Sequence, residues 1–180
     1  MKRFYLCLSL AITGAVFAVA NVPRADNDVL EDRALDFPAE YRENFTEYFR
    51  GDRFMHDDQT IRLYANDIAL EGAKKDGKLP NGSVLVADVF TARTDADGEV
   101  IESLIGRRLP GPMKVIAVME RRAGWDEQYP EDLKVGDWEF ELFSTSGENL
   151  GKDMTSCRAC HHPLTDSEFV FSLEHLIASE

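Results

Sequence analysis

Two thiols and an imidazole stand together near the end of the chain, in Cys157-Arg158-Ala159-Cys160-His161. Cysteines separated by two residues reach both vinyl groups along one haem edge, and the histidine after the second thiol then falls beneath the iron. This is the attachment signature of c-type haem. The same residues would also serve a zinc half-site or a dithiol redox pair. Structural zinc takes four protein ligands, and the chain offers neither a second Cys pair nor a spaced pair among His56, His162 and His175. A thioredoxin-like pair follows a first strand at the start of a βαβ unit, whereas this pair comes last.

A sixth ligand is harder to find. Only 19 residues follow His161, and none is methionine. Met55, Met113, Met119 and Met154 lie upstream, and each reads as core filling or surface. His162 adjoins the axial residue, His175 belongs to a closing helix, and His56 lies in the charged stretch Met55-His56-Asp57-Asp58. The favoured reading is a five-coordinate haem, whose open position takes a small ligand.

Residues 1–20 have a basic start (Lys2, Arg3), an apolar run from Phe4 to Phe17 and a small-residue end, Ala18-Val19-Ala20. That is the anatomy of a signal peptide cleaved after Ala20, which implies the periplasm; the run is short for a membrane span, an uncleaved anchor being the alternative. Cleavage would remove Cys7 and leave Cys157 and Cys160 as the only thiols, so no structural disulfide is available. Stability then rests on packing and on the haem, and a haem-free chain is expected to fold poorly. The chain has 20 basic and 33 acidic residues; without Lys2 and Arg3 the balance is 18 against 33, a formal charge of −15. Such a surface repels nucleic acid and anionic membrane and suits a basic redox partner protein.

A charged leader over 21–37, mobile by its composition, is expected to precede one domain at 38–180. Tyr41, Phe45, Tyr48 and Phe49 recur at helical spacing, which predicts a helix from Asp36 or Phe37-Pro38 to a stop at Gly51. Gln59 to Ala65 alternates as a strand. Asn66 or Asp67 caps a helix to Lys75 that ends near Gly77, and Pro80-Asn81-Gly82 turns into a strand over Ser83 to Thr91. Asp95 to Gly98 makes a turn, the stretch Ile101 to Ile105 carries no clear pattern, and Leu109 to Pro112 leads into a strand over Met113 to Glu120. From Asp137 to Thr145 the faces separate, with Trp138, Phe140 and Leu142 on one side and Glu139, Glu141 and Phe143 on the other. Thr165 and Glu168 read as a capping box for a closing helix whose buried stripe is Phe169, Leu173 and Leu176. The middle of the chain is thus antiparallel β with a helix at each end.

In this order, Tyr64-Ala65-Asn66-Asp67, Pro80-Asn81-Gly82-Ser83-Val84, Gly136-Asp137-Trp138-Glu139-Phe140, the haem motif and Asp166 to Phe171 resemble the cytochrome P-460 family, which includes the cytochromes c′-beta. The resemblance runs from Pro38 to Leu173. It implies an α+β fold, a twisted antiparallel β-sheet flanked by N- and C-terminal helices around one covalently attached haem c, and often a homodimer. Some members oxidise hydroxylamine and carry a lysine bonded to the haem macrocycle; others lack that bond and bind nitric oxide or similar gases in a pocket lined by phenylalanine. The family pattern puts the lysine in the strand after Pro-x-Gly. Here that strand reads Val84-Leu85-Val86-Ala87-Asp88, with Ala87 at the matched position. Lys114, at the start of the next strand, reads as a second candidate or as a solvated strand end.

For the distal pocket, Phe54 and Phe90 are the expected apolar walls and Glu141 the acid facing the haem. Phenylalanine above iron removes hydrogen-bond donors and so favours a neutral diatomic over an anion. A desolvated Glu141 would have a raised pKa and could move protons during N–H oxidation; the other reading turns it outward into solvent. The leading expectation is a periplasmic cytochrome that binds nitric oxide or a similar small ligand, its iron held by His161. The alternative is an oxidoreductase acting on hydroxylamine or nitric oxide, with Glu141 as proton relay and another cytochrome as electron acceptor. Plain electron transfer would need a stable second axial ligand.

Overall fold

The computed structural model describes residues 35–179, so the expected export signal, Cys7 and most of the expected leader lie outside the described residues. Alternating apolar and polar residues build strands β1 (Thr46–Asp52), β2 (Gln59–Ala65), β3 (Val84–Ala92), β4 (Pro110–Arg121) and β5 (Trp138–Phe143). Each pairs antiparallel with the strand before it, giving one sheet in chain order. Short helices α1 (Tyr41–Asn44), α2 (Asp67–Asp76), α3 (Thr155–His161) and α4 (Leu173–Ala178) complete an α+β domain.

Helix α2 has the ends its sequence announces. The Asn66 side chain accepts from the Ala69 amide at 3.0 Å, and Gly77 closes the helix in the left-handed region at φ 72°. Asn66 also accepts from the Val84 amide at 3.1 Å and donates to the Gly82 carbonyl at 2.8 Å, which ties β2 to β3.

The expected N-terminal helix is cut to one turn. From Thr46 onward the chain is β1, because extended backbone there gains a ladder with β2 and aromatic residues fit a pleated surface. Tyr41 and Phe45 pack on one face of the sheet. A β-bulge between Glu47 and Phe49 interrupts the alternation, and both Tyr48 and Phe49 reach the other face. There the Tyr48 hydroxyl lies 2.9 Å from that of Ser172, and the Phe49 ring stacks on His175. Two elements together imitated one helical period. Leu35 and Phe37, read as leader, also belong to the core, packed with Tyr41 and Phe143.

The closing helix starts late, and the capping box does not form. Thr165–Ser167 is a 3-10 turn, Glu168 and Phe169 take left-handed backbone at φ 55° and 62°, and α4 begins only at Leu173. The Glu168 carboxylate is drawn instead to Arg121 at 2.6 Å and Lys78 at 2.8 Å. Leu173 and Leu176 are buried, as the stripe requires.

Register sorts the strand side chains into two faces. One carries Tyr64, Val86, Ile116, Val118 and Phe143, covered by Leu35 and Tyr41. Asp88 on this face is buried and gripped at two points by the Arg42 guanidinium, at 2.8 and 2.9 Å. The other face carries Ala65, Leu85, Trp138 and Phe140 beneath α2, α3 and α4.

Helix α3 is fastened by Arg158, which is 1% exposed. Its guanidinium donates to Asp126 at 3.1 Å, to Glu139 at 3.1 Å and to the carbonyls of Leu133 and Trp138 at 3.1 and 2.7 Å. The Tyr129 ring lies against it, 3.3 Å from centroid to guanidinium carbon. Removing this cation would leave two desolvated carboxylates without a counter-charge. Arg158→Met is therefore expected to lower unfolding stability by about 3–5 kcal/mol, measured from the denaturant midpoint of the haem-loaded protein. A loss under about 1 kcal/mol would put the network on a par with an ordinary surface ion pair.

Candidate haem site

Helix α3 holds Cys157 and Cys160 about one turn apart and ends on His161. Both thiols are free; Cys157 is half-buried against the core and Cys160 is exposed. Burial pushes the Cys157 thiol above its ordinary pKa. Arg53, in the turn between β1 and β2, interacts electrostatically with both thiols, so this turn stands beside them.

His161 is oriented by backbone. Its Nδ1 lies 2.7 Å from the Phe169 carbonyl, which can only accept, so Nδ1 carries the proton and Nε2 keeps its lone pair for a metal. Burial lowers the His161 pKa, with the carbonyl opposing, and the ring is neutral at neutral pH. Phe140 and Phe171 meet the imidazole edge to face, each at 5.0 Å between centroids. The carbonyl itself is fixed by its surroundings. Trp138 Nε1 donates to the Glu168 carbonyl at 3.0 Å, while the Glu168 carboxylate bridges Arg121 and Lys78. Gly136 makes room for the Phe169 ring, since a Cβ there would come within 2.5 Å of it.

The sheet face on the side of His161 is built in rows. Phe49, Leu63, Ala87, Ala117 and Leu142 form one row across all five strands. Gly51, Ile61, Val89 and Val115 flank it on one side; Ala65, Leu85, Met119 and Phe140 flank it on the other. Leu63, Ala87, Ala117 and Leu142 are only half-buried, whereas Val86, Ile116 and Val118 on the opposite face are at most 1% exposed. Two alanines at the centre of the row leave the middle of this apolar surface recessed. A recessed, half-covered apolar bed beside two thiols and a neutral imidazole suits a flat apolar macrocycle, and haem fits. Cys157 and Cys160 would hold its edge, and His161 its iron.

Of the expected pocket residues, Phe54 joins the site. Its ring lies 5.7 Å from that of Phe171, which in turn meets His161. Phe90 does not, because it shares the far face with Asp88, lies under the Arg62 guanidinium and pairs with Met113. Glu141 is likewise on the far face, paired with Val118 and separated by strand alternation from Phe140 and Leu142. Nor does it open fully to solvent, for one of its carboxylate oxygens is buried without a hydrogen-bond partner. Ala87 lies within the bed, while Lys114 is exposed. Among the methionines, Met119 is on the bed face, Met113 accepts from Arg42 on the far face, Met55 is exposed, and Met154 lies against Cys157. His162 is engaged by the Lys134 carbonyl at 2.7 Å and His175 by the Phe49 ring. Sequence reasoning missed Phe171 and the Phe169 carbonyl. A carbonyl has no residue identity, and Phe171 lay beyond a capping box that does not form.

Burial raises the Glu141 pKa, the Glu139 charge adds to the effect, and Asn149 and the Leu142 amide oppose it. A carboxyl whose folded-state pKa lies above its unfolded value destabilises the fold once pH exceeds that range, and has no such effect where both states are protonated. Glu141→Gln is expected to raise the melting temperature at neutral pH and to lose this advantage as pH falls below the ordinary Glu value of 4.5. A gap of equal size at neutral pH and at about pH 3 would contradict a desolvated charge at this position.

Against known proteins, a profile of the cytochrome P460 family matches residues 38–172. No curated protein sequence matches the chain. The matched span takes in all five strands, the Cys157–His161 motif and the Glu168-Phe169 turn that orients the imidazole. With most of its length under that profile and its thiols and imidazole gathered at an apolar bed, the chain belongs to the cytochrome P460 family and is a c-type cytochrome.

Proposed function

We propose that the protein is an exported, periplasmic monohaem c-type cytochrome that binds nitric oxide or a similar neutral diatomic at a five-coordinate haem iron. When bound, the haem would supply an iron able to take a small ligand. Cys157 and Cys160 would hold the haem edge through thioether bonds, and His161 would hold its iron through Nε2, with the Nδ1 proton kept in place by the Phe169 carbonyl. Phe140 and Phe171 hold the plane of the imidazole.

The observation that carries this reading is the composition of the bed. The three rows on the side of His161 contain no acid, no lysine and no histidine. An apolar surface without donors favours a neutral ligand over an anion and offers no group to accept a proton from N–H. The oxidoreductase alternative loses its expected relay, because Glu141 is on the far face, and its crosslinking residue, because Ala87 occupies the matched strand position. Export is supported by the basic, apolar and small-residue segments of residues 1–20. The formal charge of −15 after cleavage supports a basic redox partner, and the family resemblance supports a homodimer.

Intact mass and the reduced absorption spectrum of the exported protein test the reading together. Wild type is expected to gain the mass of one haem, to give an ordinary c-type spectrum once denatured, and to bind nitric oxide without oxidising hydroxylamine. Replacing both Cys157 and Cys160 with Ala should abolish the covalent haem. A strongly red-shifted reduced band with a macrocycle that stays abnormal after denaturation would reveal a further bond to the protein and move the enzyme reading to first place.

A further inference from the structure

We propose that the far face of the sheet holds a binding site for a small planar oxyanion, either a carboxylate or a nitrogen oxyanion, at the ends of β1 and β2 next to their connecting turn. The groove lies at the sheet edge and shares Gly51 and Ile61 with the row that flanks the haem bed, but the proposal does not depend on the gas-binding reading. A groove of about 300 Å³ lies there, lined by Arg50, Arg62, Arg107 and Arg108 with one carboxylate, Asp52, beside Thr60 and Phe90. On a chain with 33 acidic and 20 basic residues, four guanidiniums at one groove are a local reversal of charge.

Two of these cations face each other across the β1–β2 ladder. Arg50 and Arg62 are direct cross-strand partners, where like charges repel. Three of the four arginines have a carboxylate partner, and Arg62, among the described residues, does not. Glu47 pairs with Arg50 at 2.7 Å, Asp57 with Arg108 at 3.4 Å, and Asp52 is 4.0 Å from Arg107. Asp88, the register partner of Arg62, is taken by Tyr41 and Arg42. Among the described residues Arg62 has no carboxylate within ion-pair distance; it lies over the Phe90 ring, 5.3 Å from the centroid. Stacking of this kind fixes the guanidinium plane while leaving its edge N–H groups to donate.

Thr60 supplies an independent observation. It lines the groove at 5% exposure, and its hydroxyl is buried with no hydrogen-bond partner. A buried unpaired hydroxyl is costly, and an anion seated between Arg62 and Arg107 would give it an acceptor. Coplanar oxygens match the two parallel N–H groups of a guanidinium edge, a geometry that chloride cannot use. Arg108 forms the wall, since it is tied to the carbonyls of His56 and Gln59 at 2.6 and 3.1 Å.

Calorimetric titration of the haem-loaded full chain with sodium nitrate and, separately, sodium acetate tests the site, with ionic strength held constant by chloride. The haem absorption is followed throughout to separate this site from the iron. Saturable binding of nitrate, of acetate or of both is expected, and which of them binds assigns the ligand to nitrogen oxyanions or to carboxylates. Arg62→Gln should weaken binding by about tenfold or more. Arg107→Gln, on the hairpin outside the sheet, should weaken it too. Thr60→Val should weaken it several-fold while leaving the melting temperature unchanged or higher, because it removes the unpaired hydroxyl. If Arg62→Gln fails to fold, the other two variants decide. The proposal is overturned if neither anion binds saturably, if the variants bind as wild type does, or if the haem band shifts in step with binding.

Discussion

The buried Arg158 is the contact on which the site depends. It belongs to the haem motif itself, yet its side chain points away from the thiols into the protein, to Asp126, Glu139 and two backbone carbonyls. A helix of seven residues has little stability of its own, so its position must be imposed from outside. Arg158 does this by joining α3 to the edge strand β5 and to the segment before it. The ion pairs add orientation more than net stability, since a desolvated cation gives back much of what its partners contribute.

Strand parity decides which side chains can meet at the bed. Once Phe140 faces His161, Leu142 must face the same way and Glu141 the other. The same rule carries Ala87 to the bed and Asp88 to the far face, where Arg42 and Tyr41 claim it. One sheet thus separates an apolar, uncharged surface from a face rich in arginine and carboxylate. That separation keeps strong fields away from the imidazole, whose own hydrogen bond is to a neutral carbonyl.

Signals that act within a few residues were legible in the chain. Asn66 and Gly77 bound a helix because a side-chain cap and a left-handed glycine act locally, and Gln59–Ala65 is a strand where its alternation runs. The haem motif is local in the same sense. What failed involved partners far along the chain. Tyr48 and Phe49 read as helix because the bulge that directs both to one face appears only when β1 meets β2. Glu168 read as a cap, although Arg121 and Lys78, distant in sequence, offered its carboxylate charge as well as hydrogen bonds. For Phe90 and Glu141 the alternation was visible, but which face lies on the side of His161 was not, because that follows from how α3 docks on β5.

The carbonyl that orients His161 belongs to the backbone of a residue in left-handed conformation. A peptide carbonyl does not titrate over the range in which carboxylates and imidazoles do, so the acceptor of this hydrogen bond stays the same as pH changes. Nor does it depend on the chemical nature of any side chain at position 169. Mutation can reach it only by shifting the turn, through Gly136, Trp138 or the Glu168 ion pairs. The orientation that His161 would present to an iron is therefore a property of chain path and not of a neighbouring side chain's charge.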